Sequence, residues 1–349
     1  MPAMLSLAGR KVLTLLLGLG GVAAFWLLGL PLPFLFGPMT ACLVAALLRA
    51  PLTGPGRISV AARTVLGVAI GASVTPEVIQ RLPSMLASVA LVPVYIVAIG
   101  LVGVPFFRRI CGFDPITAFY AAMPGGAADM TIFGQEAGAN VRQLSLVHVT
   151  RLMVILVLVP FLLVHLYGVG LGNPVGPPAT DLPLSELATM LAAAILGWKA
   201  AERAGLFGAA ILGPLIVAAI LSLAGFLHMR PPREALWAAQ FFIGLGIGIG
   251  YAGVTLREFR DTVMGSAAFV LILAALAAIV TLTGIAPPVE GFLAFAPGGQ
   301  AEMSMLAIIA GADLGFVVIH HLTRILLVIL GAPLVARWLI RVPDERKPS

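Results

Sequence analysis

The chain has 349 residues, of which 60% are hydrophobic and only 10% are charged, and its mean hydropathy is +1.08. A water-soluble protein of this length cannot cover so much apolar surface with so few charges, since soluble domains carry about 25% charged residues. The composition therefore excludes a soluble enzyme, a disordered regulator and a free-standing DNA-binding domain, and it predicts a polytopic membrane protein.

The net charge of +6 does not indicate nucleic-acid binding, because no run of Lys and Arg is longer than a pair. Cytoplasmic loops of membrane proteins collect these residues, which explains the basic balance without a nucleic acid. The partners that we expect are the lipid bilayer and a small-molecule substrate. A homo-oligomer is also compatible with the sequence.

Twelve apolar segments follow one another along the chain. The first six lie at 12–30, 34–50, 61–75, 84–107, 115–138 and 143–167. After a Pro- and Gly-rich stretch, six more lie at 185–201, 207–227, 235–253, 260–284, 288–312 and 315–339. The predicted organisation is a first membrane repeat over 1–167, a linker over 168–183, a second membrane repeat over 184–340 and a cytoplasmic tail over 341–349.

The two halves are related in sequence. With an offset of 173 residues, 14 of the 42 positions aligned between 119–160 and 292–333 are identical. The matched elements are Pro-Gly-Gly at 124–126 and 297–299, and His-x-Thr-Arg at 148–151 and 321–324. Since these polar and helix-breaking elements match in one register, the similarity indicates an internal duplication.

Each Pro-Gly-Gly element interrupts an apolar segment. The residues concerned are Pro124, Gly125 and Gly126 in the first half and Pro297, Gly298 and Gly299 in the second. Proline removes a backbone donor and glycine adds conformational freedom, so we expect a broken helix at both places. Backbone that leaves the helix at membrane depth must be buried in protein or line a cavity. A packing kink is the alternative, but two breaks at equivalent positions favour a binding site of the kind found in secondary transporters.

The positive-inside rule favours one topology. If each Pro-Gly-Gly segment enters and returns, 16 Lys and Arg residues lie inside and three outside, whereas twelve full crossings give 13 inside and six outside. The predicted fold is therefore an all-α polytopic membrane protein with 10–12 membrane segments. Its two homologous halves are inverted repeats of five crossing helices plus one broken or re-entrant helix each, with both termini cytoplasmic. A broken helix that crosses fully stays open as an alternative.

One acidic residue follows each break: Asp129 lies three positions after Gly126, and Glu302 three positions after Gly299. An ionisable residue at membrane depth usually faces a partner, a cavity or an ion, so either carboxylate could bind Na⁺ or relay a proton. The alternative is a simple cap, because a helix N-terminus favours a negative charge.

His148 with Arg151, and His321 with Arg324, are spaced three apart, so each pair shares one helical face. The guanidinium groups could bind an anionic substrate. Alternatively, Arg151 could pair with Glu302 and Arg324 with Asp129 in a structural charge network. Thr150 and Thr323 could donate to substrate, although hydroxyls in helices more often bond to their own backbone.

The halves diverge at three polar positions, which are candidates for substrate specificity. Gln135 and Glu136 stand opposite Ile308 and Ile309, and Gln300 stands opposite Ala127. The candidate substrate- and ion-binding residues are therefore these three together with the Pro-Gly-Gly, acidic and His-x-Thr-Arg residues named above.

Two other patterns predict no cofactor or metal. Residues 248–253 fit G-x-G-x-x-G, but they lie in an apolar span without a preceding strand, and close helix packing through Gly246 and Gly250 explains them better. His320 and His321 are adjacent and therefore point about 100° apart on a helix, which does not suit a shared metal.

Several motifs of the chain resemble the AbrB family of bacterial multi-spanning membrane proteins. They are Pro33 to Pro38, Gly-Val-Ala-Ile-Gly at 67–71 with Thr75, Phe113-Asp114-Pro115, 123–130 and 296–303. The resemblance covers essentially the whole chain. It implies an inner-membrane protein of two repeated halves whose family names refer to an ammonia monooxygenase or to regulation of gene expression. It supplies no substrate and no catalytic residues.

The leading hypothesis from the sequence is a secondary transporter of a small polar or anionic metabolite, coupled to H⁺ or Na⁺ and not an enzyme. A membrane regulator or sensor that acts on gene expression through a partner protein is the first alternative. A membrane monooxygenase is the second, and the sparse histidines argue against it.

Overall fold

The computed structural model of the chain describes residues 6–341, except 31, 172, 174 and 207. The helices of the first half are α1 (Leu7–Leu27), α2 (Pro33–Leu47), α3 (Arg57–Gly71), α4 (Pro76–Arg109), α5 (Pro115–Ala122), α6 (Ala127–Glu136) and α7 (Val141–Tyr167). Those of the second half are α8 (Leu184–Arg203), α9 (Ala209–Leu223), α10 (Arg233–Ile249), α11 (Leu256–Glu258), α12 (Met264–Leu282), α13 (Pro288–Phe295), α14 (Gln300–Ala310) and α15 (Leu314–Arg341). A 3₁₀ turn at Ala179–Asp181 lies in the linker, and a π-helical turn at Phe259–Val263 precedes α12.

The described residues contain no β-strand, and the predicted all-α class is confirmed. Within them, six helices are long and apolar enough to cross a membrane, and the chain is a membrane-spanning protein. These spans are Leu7–Leu27, Pro76–Arg109, Val141–Tyr167, Leu184–Arg203, Arg260–Leu282 and Leu314–Ala336, while Pro33–Leu47 and Ala209–Leu223 are shorter apolar helices. The predicted tail lies outside the described residues from 342 onward.

Both predicted breaks are confirmed. The segment 115–138 is divided into α5 and α6, and the segment 288–312 into α13 and α14. Proline inside a helix does not always break it, since α4 continues through Pro83, Pro93 and Pro105. The breaks therefore need the glycines that follow Pro124 and Pro297, which let the backbone turn out of the helix.

The chain forms two compact units, and each takes segments from both halves of the sequence. Unit 1 comprises 1–82, 163–255 and 304–315, and unit 2 comprises 83–162, 256–303 and 316–349. The units are thus not the two sequence repeats. The predicted division into 1–167 and 184–340 describes the duplication, and it stays a prediction.

Helices in unit 1 pack through glycine. A Cβ on Gly197 would lie 2.6 Å from the carbonyl oxygen of Gly213, so α8 and α9 approach at backbone distance, and Gly21 and Gly37 bring α1 and α2 together in the same way. The α10 contact with α2 runs through Gly244 and Gly248. The sequence also suggested Gly246 as a packing residue. A Cβ on Gly246 would have Ser59 Oγ, 3.8 Å away, as its nearest neighbour outside the backbone of its own helix, because this residue lies on the face of α10 turned from α2.

Unit 2 contains both breaks and the helices that carry the two His-x-Thr-Arg elements. Its interior is lined by aromatic side chains: Tyr95 meets Phe295 edge-on at 5.2 Å, and Phe107 meets Phe269 at 4.9 Å. Tyr95 also donates to the carbonyl of Leu273 across 3.3 Å, which connects α4 to α12. These contacts fix the helices around the breaks.

Candidate functional site

Each break ends one half-helix and begins another. After α5 the backbone is extended at Met123, and after α13 it is extended at Ala296, so the last carbonyls of both helices lose their helical partners. These carbonyls carry the partial negative charge of a helix C-terminus. Because Pro124 and Pro297 are buried, water cannot satisfy the carbonyls, and the protein must supply donors.

An arginine supplies the donors at both breaks. Arg151 Nη1 donates to the carbonyl of Met123 at 2.9 Å and its Nη2 donates to that of Gly125. Arg324 Nη1 donates to Ala296 at 2.9 Å and Nη2 to Gly298 at 2.8 Å. Both side chains are buried, at 3% and 4% exposure. The planar guanidinium suits two carbonyls because its N–H groups form a rigid fork.

The described contacts of both arginines include backbone carbonyls, and they do not test the predicted charge network. In the described contacts, each guanidinium binds the backbone of its own half, through positions that correspond under the 173-residue offset. The side chain of Asp129 lies outside the described part, so its pairing with Arg324 stays a prediction, as does the pairing of Arg151 with Glu302. What the structure adds is that each Arg binds two backbone carbonyls of the break that follows a half-helix.

The glycines of the breaks are needed for packing. A Cβ on Gly125 would lie 2.7 Å from the Met130 side chain, and one on Gly298 would lie 2.5 Å from Met303. Both methionines are fully buried. The chain turns back over its own second half-helix closely enough that only glycine fits beneath the turn.

The two histidines have different environments. His321 Nδ1 accepts from Arg324 Nη2 at 2.9 Å, so its Nε2 carries the proton and donates to the Leu293 carbonyl at 3.0 Å. His148 is equally buried, but neither of its ring nitrogens has a hydrogen bond among the described residues. The carbonyl of Tyr120, the counterpart of that of Leu293, is the backbone acceptor that faces its ring.

Other buried donors also lack partners. Gln300, at the first position of α14, is 7% exposed, and its Nε2 has no partner within the described part of the chain. The same holds for Arg324 Nε. Unpaired buried polar groups are rare in folded proteins because each costs about 1–3 kcal/mol.

The carboxylate of Glu302 lies against the backbone of its own helix start. Its Oε2 atom occupies the space that a Cβ on Gly299 would take. The carboxylate therefore sits on the first turn of α14, as the cap interpretation predicts, where the helix dipole favours its negative charge.

The two breaks are close to each other in unit 2. A Cβ on Gly299 would lie 3.4 Å from Leu152 Cδ2, and Leu152 follows Arg151 in α7. One turn of α7 thus holds the first break through Arg151 and contacts the second through Leu152. Sequence reasoning missed Leu152, because an apolar residue in an apolar helix gives no signal.

The remaining predicted site residues lie in several environments. Thr323 donates to the Ile319 carbonyl at 2.9 Å, so its hydroxyl bonds to its own helix. Thr150 is fully buried on α7. Gln135 and Glu136 are exposed at the C-terminal end of α6, after the break that ends at Gly126. At about 1.5 Å per residue they lie roughly 14 Å along the helix from the break, which separates them from the other candidates.

Among the described residues, no group of three or more His, Cys, Asp and Glu side chains is placed to hold a metal ion. His320, next to His321, binds within the protein: one ring nitrogen contacts the Phe316 carbonyl at 2.8 Å and the other Ser88 Oγ at 2.9 Å. His320 and His321 therefore bind different groups of the protein.

Comparisons with known proteins identify similar sequences. A model of the family described as "Transition state regulatory protein AbrB" matches residues 34–340. The chain is 29% identical over 307 residues to the uncharacterized protein YhjN of Bacillus subtilis strain 168, covering 81% of this chain and 79% of that protein. It is 25% identical over 348 residues to a protein of Escherichia coli strain K12 named "Putative regulator AbrB", covering 96% and 97%.

Proposed function

The chain belongs to the membrane-type AbrB family, and we propose that it is a secondary transporter of a small polar or anionic metabolite, driven by H⁺ or Na⁺. The observation that carries the proposal is the pair of arginine-held breaks in one compact unit. Broken helices that meet near the middle of the bilayer are a recurring design of such transporters.

Buried nitrogen atoms near the breaks that lack hydrogen-bond partners among the described residues support the proposed class of substrate. Two carbonyls of each break are already bound by arginine, while the ring nitrogens of His148, Nε2 of Gln300 and Nε of Arg324 have no partner among the described residues. These groups are mainly hydrogen-bond donors, so a complementary solute must bring acceptors. Carboxylates, phosphates and other oxygen-rich metabolites meet this requirement, and the positive guanidinium groups favour an anion.

The proposal includes the arrangement in the membrane. We place the chain in the bacterial inner membrane with both termini cytoplasmic, as the distribution of Lys and Arg favours. We interpret the two halves as inverted repeats, because five crossings per half would turn the second half over. Alternating access to the site would then result from movement of helices around the two breaks.

Ion coupling is assigned to the acidic residues that follow the breaks. Glu302 lies on the first turn of α14, and Asp129 holds the equivalent place in the sequence. A proton or Na⁺ at either carboxylate would change the charge beside the solute and so couple the two binding events. We propose no catalytic step and no cofactor for this site.

The test is transport by the purified protein. Reconstituted into liposomes, the protein is expected to take up at least one anionic metabolite from a panel when a proton or sodium gradient is imposed. Asp129→Asn and Glu302→Gln should reduce the gradient-driven uptake by at least about tenfold. The control is Glu202→Gln, since Glu202 is an exposed acid on α8 paired with Lys199. Unchanged flux in both site variants would contradict the assignment.

The family description and the name of the E. coli relative favour a second candidate, a membrane regulator that acts through a partner protein. A transporter whose loss changes metabolite levels would also alter gene expression, so the two can be separated by one comparison. If a folded but transport-inactive Glu302→Gln variant restores normal expression to a deletion strain, the regulatory candidate is correct. If it does not, the expression change follows from transport.

A further inference from the structure

Unit 1 contains a cavity that is not part of the proposed transport site. It has a volume of about 400 Å³ and lies where α1 ends and where α2 and α10 begin. Since α1 is long enough to span the bilayer, its end marks the level of the membrane–water interface. The cavity therefore opens where lipid headgroups meet the hydrocarbon region.

Three aromatic rings line the cavity. Phe34 and Trp237 are stacked with their centroids 4.9 Å apart and their planes 7° apart, and Trp26 meets Phe34 edge-on at 6.0 Å. Trp26 is 61% exposed and continues into the exposed leucines Leu27 and Leu28. Tryptophan prefers the interfacial region, so this wall is continuous with the surface that faces lipid.

Polar groups on one face of α10 reach into the same cavity. Arg233, Trp237 and Gln240 are spaced i, i+4 and i+7, and all three line it. Gln240 is only 3% exposed, and its Nε2 has no hydrogen-bond partner in the part of the chain that the structure describes. A buried amide donor that faces a cavity without a partner requires an acceptor from outside the protein.

Arg233 lines the cavity as a cation that is ion-paired with Glu234. Its guanidinium carbon lies 5.5 Å from the centre of the Trp237 ring, and its Nε donates to Glu234 at 3.1 Å, while its terminal N–H groups have no acceptor among the residues that the structure describes. The segment 230–234 contains Arg230, Arg233 and Glu234, a net charge of +1. By contrast, Asn173, which also lines the cavity, already donates to the Ile309 carbonyl at 3.0 Å.

We propose that this cavity binds an anionic phospholipid. Its phosphate lies at Arg233, an oxygen of its glycerol ester accepts from the Gln240 amide, and one acyl chain runs along Trp26 toward Leu27. Only an amphiphile satisfies the three features together, because a soluble phosphate ester would leave the aromatic wall and its apolar continuation without a partner. One cationic side chain at the membrane surface corresponds to a preference of about fivefold for anionic over zwitterionic lipid.

The test uses the tryptophans of the cavity as reporters. The chain has four tryptophans, and Trp198→Phe with Trp338→Phe leaves Trp26 and Trp237, which both line the cavity. In nanodiscs, brominated phosphatidylglycerol is compared with brominated phosphatidylcholine as a quencher at equal low mole fractions. We expect phosphatidylglycerol to quench about fivefold more effectively. Arg233→Gln should bring the ratio close to one, whereas Gln240→Leu, which removes a contact with the ester shared by both lipids, should weaken quenching by both and keep the ratio.

Arg81→Gln is the matched control, since Arg81 is an exposed arginine of unit 1 outside the cavity, and this variant should keep the ratio. Equal quenching by the two lipids in the parent protein would overturn the proposal without any cavity variant being needed. Millimolar glycerol phosphate is added in a parallel series. If it displaces the brominated lipid, the occupant is a soluble phosphate ester and the lipid assignment is wrong.

Discussion

The two breaks share the arginine–carbonyl contacts of Arg151 and Arg324, here called the frame, but they differ in the contacts of the neighbouring histidine. In both, an arginine binds two carbonyls of the interrupted backbone through equivalent atoms. At the second break His321 is bonded to both Arg324 and Leu293, whereas at the first His148 has no bonded partner among the described residues. A duplicated motif can thus keep its structural part in both copies while leaving one copy free to bind something else.

The largest expected effect concerns the shared frame. Arg151→Gln and Arg324→Gln each remove two charge-assisted hydrogen bonds to buried carbonyls, so each should lower the free energy of unfolding by about 3 kcal/mol or more. The loss should be somewhat larger for Arg324→Gln, which also removes the hydrogen bond to His321. Equilibrium unfolding in mixed detergent micelles measures them. If one variant is as stable as the parent, the frame is not shared.

The histidine difference gives the next effect. His321→Leu removes two hydrogen bonds and leaves the Leu293 carbonyl without its donor, which should cost about 2 kcal/mol. His148→Leu removes unpaired polar atoms, so the free energy of unfolding should stay within about 0.5 kcal/mol of the parent or rise. The same unfolding measurement compares them. Equal destabilisation by both substitutions would show that His148 is a structural residue like His321.

A smaller effect is expected at Glu302. Because its carboxylate lies on the first turn of α14, Glu302→Gln should lower stability by only about 0.5–1 kcal/mol through the lost charge–dipole interaction. Gradient-driven uptake should nevertheless fall strongly in the same variant. A loss of stability well above this range, with uptake in proportion to folded protein, would assign the residue to the frame alone.

The smallest expected effect is on the rate at which a thiol is labelled, and it tests the membrane orientation of the chain. Cys42 is fully buried, whereas Cys111 is half-buried between α4 and α5, on the side predicted to be cytoplasmic. Burial raises the pKa of the Cys111 thiol, so the thiolate fraction is low at neutral pH and labelling by a maleimide should accelerate as the pH rises. An impermeant maleimide should label inside-out vesicles only. Labelling of right-side-out vesicles would show that the topology is the reverse of the predicted one.

The broken helices could be predicted from the sequence because Pro-Gly-Gly acts locally, through a missing donor and added backbone freedom. The carbonyl partners of Arg151 and Arg324 could not, since backbone carbonyls leave no mark in a residue pattern. The difference between His148 and His321 was equally hidden. Both lie in the same His-x-Thr-Arg motif, and only the surrounding packing distinguishes them.

The two compact units of the fold could not be predicted from the sequence either. The duplication indicates two repeats but not how their helices pack, and in the structure α3 packs with α9 and α10 with α2. This packing depends on contacts such as those of Gly244 and Gly248 with α2, which are distant in the chain. An apolar helix with glycines on several faces does not reveal which face is used.

The central claim is that the break with the unbonded histidine belongs to a solute site. The most direct test is gradient-driven uptake into liposomes by the parent protein, His148→Asn and the surface control Glu202→Gln, with the unfolding free energy measured on the same preparations. The account predicts uptake of an anionic metabolite that falls at least about tenfold in His148→Asn, with parent-like stability and a parent-like control. Uptake that is unchanged in a folded His148→Asn protein would contradict it.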